Sequence, residues 1–315
     1  MADTRFGPNG WTPERIGSLA GKTFVITGTT AGTGFEAARI LLSKAAKLVM
    51  LNRNPDKAAN TLKVLKDEFG ADADVINLKM DLAVQESVRD AAVEVLANVD
   101  HIDALICNAA IAQVPNHKLT ADGFESQIGT NHYGHFTLCA SLSDLIEKSK
   151  GRIVVVASLG YKLGLKTIQF DDMNWDNNYH ANKTYCHSKL AQMMIAYELQ
   201  DKVKAAGKHS KAYVCHPGAS STSLIDTSGG FITKMMWNLM QLFPIVQSAE
   251  KGAYGQVMCA TEENLEQRAF YGPTGRMETT GPVGAGTLEP YAVEKPVMSK
   301  LWTVTEEILD VKWSI

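Results

Sequence analysis

The chain has 315 residues, 45% hydrophobic and 21% charged, an ordinary composition for a globular protein that buries a substantial core. Its net charge of −3, with no basic cluster, argues against nucleic acid as a partner. Its five cysteines (Cys107, Cys139, Cys186, Cys215, Cys259) are scattered, odd in number and without a Cys-x-x-Cys pair, which suits free thiols in a reducing compartment better than a disulfide framework.

Residues 1–21 read as a polar arm with no apolar run, so neither a signal peptide nor a membrane anchor is expected there. The most apolar stretch, residues 231–246, is shorter than a spanning helix and is interrupted by Lys234 and Pro244. The expectation is a soluble, cytoplasmic protein.

Thr23-Phe24-Val25-Ile26 predicts a short buried strand. It runs into Thr27-Gly28-Thr29-Thr30-Ala31-Gly32-Thr33-Gly34, and a helical pattern at Phe35, Ala38, Leu41 and Leu42 follows. Strand, glycine-rich turn and helix open a βαβ unit. Glycines let the backbone approach a pyrophosphate, and a helix N-terminus offers free amides to its charge. The spacing here is Gly-x-x-x-Gly-x-Gly rather than the commoner Gly-x-Gly-x-x-Gly.

A second strand, Leu48 to Leu51, ends in Asn52-Arg53-Asn54. In NAD-binding folds an acid about 20 positions beyond the glycines holds the adenosine ribose. This window has no acid and offers Arg53, with Lys57 one turn on; a guanidinium there suits a 2′-phosphate, so NADP(H) is favoured over NAD(H). A third strand, Val75 to Met80, ends at Asp81-Leu82, where Asp81 either contacts the adenine amine or caps the helix after it. A fourth, Ala104 to Cys107, leads into Asn108-Ala109-Ala110, whose small residues let the backbone pass close to a flat cofactor. Alternating strands and helices mean an α/β protein, with a parallel sheet covered on both faces.

Asn131-His132-Tyr133-Gly134-His135-Phe136 opens the next helix. No carboxylate or cysteine lies at ligand spacing from His132 and His135, so no metal site is expected. The strand from Arg152 ends in Ser158, at the carboxyl edge where a parallel sheet places its ligand crevice. Ser158 can therefore share that crevice with Tyr185, 27 positions on and past a polar, irregular connection.

Tyr185-Cys186-His187-Ser188-Lys189 begins a helix marked by Leu190, Met193, Met194 and Tyr197 and stopped by Gly207. A spacing of four stacks Tyr185 over Lys189. A nearby ammonium favours the phenolate and lowers a pKa that starts near ~10, so the phenol can exchange a proton with an alcohol or carbonyl. Taken alone, Tyr-x-x-x-Lys is a common chance pattern. His187, about 200° around the helix from Tyr185, is expected to face away.

A sixth strand, Ala212 to Cys215, is broken by His216-Pro217-Gly218. Residues 224–246, rich in methionine and aromatics, read either as a helix packed on the core or as an apolar lid over substrate. Beyond Tyr271, glycines and prolines mark an irregular tail, residues 273–315, with a last helix near 297–311. One domain over residues 22–272 with that tail is the economical reading.

The ordered set resembles the short-chain dehydrogenase/reductase family: the Thr27-to-Gly34 turn, Asp81-Leu82, Asn108-Ala109-Ala110, Asn131, Ser158, Tyr185 with Lys189, and Pro217-Gly218 with Thr222, across residues 22–272. Thr130-Asn131-His132-Tyr133-Gly134-His135-Phe136 and Tyr185 through Leu190 look most like the retinol dehydrogenase and protochlorophyllide reductase branch. The anchor of many retinol dehydrogenases is missing from this sequence. Against protochlorophyllide reductases, the stretch between Ser158 and Tyr185 is short, and Ala191-Gln192 stands where those enzymes commonly carry Cys-Asn.

The resemblance implies a Rossmann-type doubly wound sheet, a homo-oligomer (dimer or tetramer), and NADP(H)-linked interconversion of a lipophilic alcohol and its ketone or aldehyde. Tyr185 would exchange the proton, Ser158 hold the substrate oxygen, and Lys189 tune Tyr185 and bind the nicotinamide ribose. Asn131 would anchor a water that passes protons to Lys189, and Thr222 would contact the carboxamide side of the cofactor. Double-bond reduction of the protochlorophyllide type, and a non-catalytic NADP-binding redox sensor, are the alternatives.

Overall fold

The structure, a computed structural model, describes residues 4–220 and 246–315. Among the described residues, eight strands form one sheet in the order β3-β2-β1-β4-β5-β6-β7-β8: β1 Thr23–Thr27, β2 Lys47–Asn52, β3 Val75–Lys79, β4 Ala104–Cys107, β5 Arg152–Val156, β6 Lys211–Cys215, β7 Phe270–Pro273 and β8 Val283–Ala285. All neighbours pair in parallel except β7 with β8. The connecting helices are α1 Gly32–Leu42, α2 Pro55–Phe69, α3 Gln85–Asn98, α4 Gly134–Lys148, α5 Ala181–Ala205, α6 Ala249–Thr261 and α7 Lys295–Leu309.

Strand residues alternate between two cores, as the period of two requires. Val25, Val49, Leu105, Ile153 and Val214 pack with α3, α4, α5 and α7. Phe24, Ile26, Met50, Ile106, Val154 and Tyr213 pack with α1 and α6. Both faces are therefore covered, which explains why the strands read as continuous apolar runs. This is the doubly wound Rossmann-type sheet expected.

The expected strands fall within a residue or two of β1 to β6, and α7 matches the helix expected near 297–311. The sequence reading lacked α6, β7 and β8. β8 and α7 both lie beyond residue 272, so this run is partly regular. Trp302 and Trp313 stack at 4.8 Å and meet Phe136 of α4 edge-on. In the arm, Trp11 is buried and donates from Nε1 to Glu262 at 3.0 Å. No helix among the described residues is long and apolar enough to cross a membrane.

Candidate active site

The carboxyl ends of β1 to β6 converge on one edge, and the strand order reverses between β1 and β4, where such sheets open a ligand crevice. The glycine-rich turn lies there. Gly28 has φ +72°, and a Cβ on it would fall 2.8 Å from Ala109 Cβ. A Cβ on Gly34 would fall 2.2 Å from Gly28 O. Asn108 fastens the turn: Nδ2 donates to Thr27 O and Gly28 O at 3.0 Å, and Oδ1 accepts from Thr33 Oγ1 at 3.0 Å. α1 starts at Gly32 with Ala31 as N-cap and no side chain capping it. Its first amides are left for another acceptor, and the pinched turn leaves room for backbone contact, so a dinucleotide pyrophosphate fits. Thr30 is half-buried beside it, and Ala110 likewise follows Asn108-Ala109 at the end of β4.

At the end of β2, Asn52 is buried and spent on structure. Its Oδ1 accepts from Thr29 N, and its Nδ2 donates to Thr29 Oγ1 and Asn77 Oδ1, each at 2.8 Å. Arg53 and Lys57 are exposed beside it, and Arg53 makes no ion pair among the described residues. Asp81 accepts from Ala83 N at 3.0 Å through Oδ1, and its own amide donates to Ser87 Oγ at 3.0 Å, so it organises the entry to α3. Leu82 is buried, and its carbonyl lies 2.4 Å from where a Cβ on Gly134 would be, which explains the glycine opening α4.

Ser158, just past β5, caps a 3-10 turn by accepting from Gly160 N at 3.0 Å. Its hydroxyl also lies beside the Tyr185 ring, both facing Gly160, and pulls the phenol's pKa down. Burial outweighs this pull, and Tyr185 stands at about 12. Lys189, also buried, is pushed down to about 7 by desolvation. Its Nζ donates to Val156 O and Gln192 Oε1, each at 2.9 Å. The lowered phenol expected from the Tyr185–Lys189 spacing is therefore not found here: desolvation governs both groups, and Lys189 is not among the influences on Tyr185. A phenol near 12 is protonated at neutral pH and is ready to donate.

Asn131 lies in a π-helical segment, Gly129–Tyr133, ahead of α4; such segments recur at functional sites. Its side chain accepts from Ile111 N and donates both amide hydrogens, to Ile111 O and Ser188 Oγ, each at 2.9 Å. The side chain is thus a clamp, and the backbone carbonyl accepts from His135 Nδ1 at 2.9 Å. His132 turns to Thr305 instead, at 3.0 Å. His187 faces away from Tyr185, toward Trp175 Nε1 and Gln169 N. Gly218, at φ +65°, would bring a Cβ 2.3 Å from Thr279 O, and Pro217 O accepts from Ser220 and Gln247. Thr222 and residues 224–245 lie outside the described residues.

Three polar residues of the site were missed from sequence: Asn52, the His135 ring as a partner of Thr27, and Gln192. Gln192 alone had a signal, its place one turn after Lys189 on the same helix face.

The family model for short chain dehydrogenase matches residues 22–229. Retinol dehydrogenase 11 of Mus musculus is 36% identical over 249 residues, 79% of this chain and 76% of that protein. Retinol dehydrogenase 12 of Homo sapiens is 31% identical over 94% of this chain and 88% of its own length. Among solved structures, an uncharacterised protein of Mycobacterium paratuberculosis superposes with TM-score 0.78 at 30% identity, covering 97% of this chain and all of that one. Levodione reductase, at 18% identity and TM-score 0.63 over 78% of this chain and 92% of its own, shares the fold. With the glycine turn, the Ser158–Tyr185 pair and Lys189 gathered on one sheet edge, these matches place the chain in the short-chain dehydrogenase family, NAD(P)-linked oxidoreductases, within its retinol dehydrogenase branch.

Proposed function

We infer that the protein is an NADP(H)-dependent oxidoreductase interconverting a lipophilic alcohol and its ketone or aldehyde, with Tyr185 as general acid/base. The observation that carries this reading is the placement of Ser158 beside the buried Tyr185, with Lys189 one turn on, at the crevice edge of the sheet. A bound nicotinamide supplies or accepts the hydride. In reduction, Tyr185 gives its proton to the substrate oxygen while Ser158 holds that oxygen by a hydrogen bond. Lys189, with two of its hydrogens directed to Val156 and Gln192, offers the remaining valence to the ribose or to the proton path.

Arg53 supports the 2′-phosphorylated cofactor. Among the described residues it is a guanidinium without an ion-pair partner at the end of β2, next to an asparagine whose side chain is already committed to Thr29 and Asn77. The lipophilic substrate class is supported by the relatives' name, retinol dehydrogenase. The test is a cofactor-linked screen of retinol, retinaldehyde and smaller apolar alcohols and carbonyls, run with NADPH and NADH. Turnover with NADPH and an apolar carbonyl is expected. Cofactor binding without turnover on any member would leave a binding protein and overturn the enzyme reading.

A further inference from the structure

Gln192 is buried on α5, one turn beyond Lys189, and its Oε1 accepts from Lys189 Nζ at 2.9 Å. Its Nε2 lies 3.2 Å from His135 Nδ1. The state of His135 follows from its neighbours. Thr27 Oγ1 accepts from Asn108 N at 3.0 Å and from Ala109 N at 2.9 Å, which uses both of its lone pairs. The hydroxyl proton must then go to His135 Nε2, 3.0 Å away. Burial holds His135 neutral, with a pKa of about 4, so Nδ1 carries the ring proton and donates to Asn131 O. Gln192 Nε2 consequently faces an N–H and can donate nothing to it.

The conflict is removed in one of the two protonation states of Lys189. With Lys189 as ammonium, Gln192 presents Oε1 to it. With Lys189 as amine, the amide turned over donates Nε2–H to the lysine lone pair, and Oε1 accepts the second share of the His135 Nδ1–H. Either orientation leaves Lys189 bound, whereas an apolar side chain would leave a buried nitrogen short of a partner. We propose that Gln192 is a positioning residue for Lys189: its amide holds the lysine nitrogen through both protonation states and ties it, through His135 and Thr27, to the Asn108-Ala109 segment. This assignment rests on the reading of Lys189 given under the proposed function.

Lys189 is faced by Cys107 from β4, Cys215 from β6 and His135 from α4, with Tyr185 one turn before it on its own helix; β5 contributes the uncharged Val156 carbonyl. No carboxylate is among these groups, so a change at position 192 sets the local charge directly.

The test compares wild type, Gln192→Glu, Gln192→Met and Lys189→Ala in the pH profile of NADPH-linked retinaldehyde reduction, with NADPH binding followed by fluorescence. The wild-type profile is expected to show a limb near neutral pH that Lys189→Ala abolishes along with activity. Gln192→Glu is expected to move that limb up by about 1–3 pH units, because a carboxylate favours the ammonium. Gln192→Met is expected to move it down and to weaken NADPH binding. Limbs that coincide with wild type, or that move the same way in both variants as general loosening would produce, overturn the proposal while the enzyme reading stands; so does a wild-type profile with no Lys189-dependent limb. If Gln192→Met does not fold, the direction of the Gln192→Glu shift decides alone. An active Lys189→Ala overturns the underlying role of Lys189 instead.

Discussion

Tyr185 combines burial, a neighbouring hydroxyl and a pKa of about 12, and each bears on what the residue can do. At neutral pH it holds its proton, so carbonyl reduction uses the phenol as found. Alcohol oxidation needs the phenolate and gains as pH rises. Tyr185→Phe keeps the ring and loses the proton; reduction is expected to fall at least ~10²-fold, the usual scale for general acid catalysis, with NADPH affinity nearly unchanged in a fluorescence titration. Activity above about a tenth of wild type would remove Tyr185 from the chemistry. Arg53 lies at the other end of the cofactor's expected path. Arg53→Ala is expected to erase most of a preference for NADPH over NADH, roughly 10- to 150-fold for one charge-assisted hydrogen bond of ~1.5–3 kcal/mol. Equal kcat/KM with both cofactors in the unaltered protein would contradict the assignment.

At the scale of elements, the turn between β1 and α1 is pinned from three sides. Asn108 holds two of its carbonyls, Asn52 holds Thr29, and Gly34 packs against Gly28 O with no space for a methyl group. Gly34→Ala is expected to push the turn outward, to cost about 1–3 kcal/mol as overpacking does, and to weaken NADPH binding at least tenfold by titration; wild-type affinity would show that the turn is not the pyrophosphate cradle. This turn was readable from sequence because glycine spacing between a strand and a helix is a local signal. Of β1 to β6, all but β3, which Asn77 and Lys79 interrupt, were readable as apolar runs. β7 and β8 were not: Phe270–Pro273 and Val283–Ala285 are short, rich in glycine and proline, and become strands only by adding to an edge already built. α6 was lost because Gly252 and Gly255 sit within it, and residues of low helix propensity obscured its pattern. Gly252 is a packing site, where a Cβ would fall 2.2 Å from Ser220 Oγ. Gln192 and His135 were legible as residues but not as partners, since only the fold brings α4, α5 and Thr27 together.

For the whole molecule, the buried histidines set an acid limit. His132 and His216 are held neutral down to about 3, and His135 and His187 down to about 4, in each case chiefly by burial. Their folded pKa values lie below the unfolded value near 6.5, so the unfolded chain binds more protons and stability is lost as pH falls from about 6.5 toward 4. Glu125, raised by burial, opposes this by at most one proton. Denaturant unfolding at pH 7, 6 and 5 is expected to show a steepening loss of stability; a flat profile over that range would mean the four rings are not kept neutral. The tail sets a limit of a different kind. α5 carries Tyr185 and Lys189, and α7 packs against its outer side through the core that contains Leu301 and Trp302. On a ribosome adding about 5–20 residues per second, roughly 5–20 s separate the emergence of the end of α5 from that of the end of α7. During that interval the nascent chain has Ser158, Tyr185 and Lys189 in hand and an uncovered apolar flank on the helix that bears the last two. A chaperone that binds apolar helices therefore has a defined window on this protein, closed by the chain's own last helix.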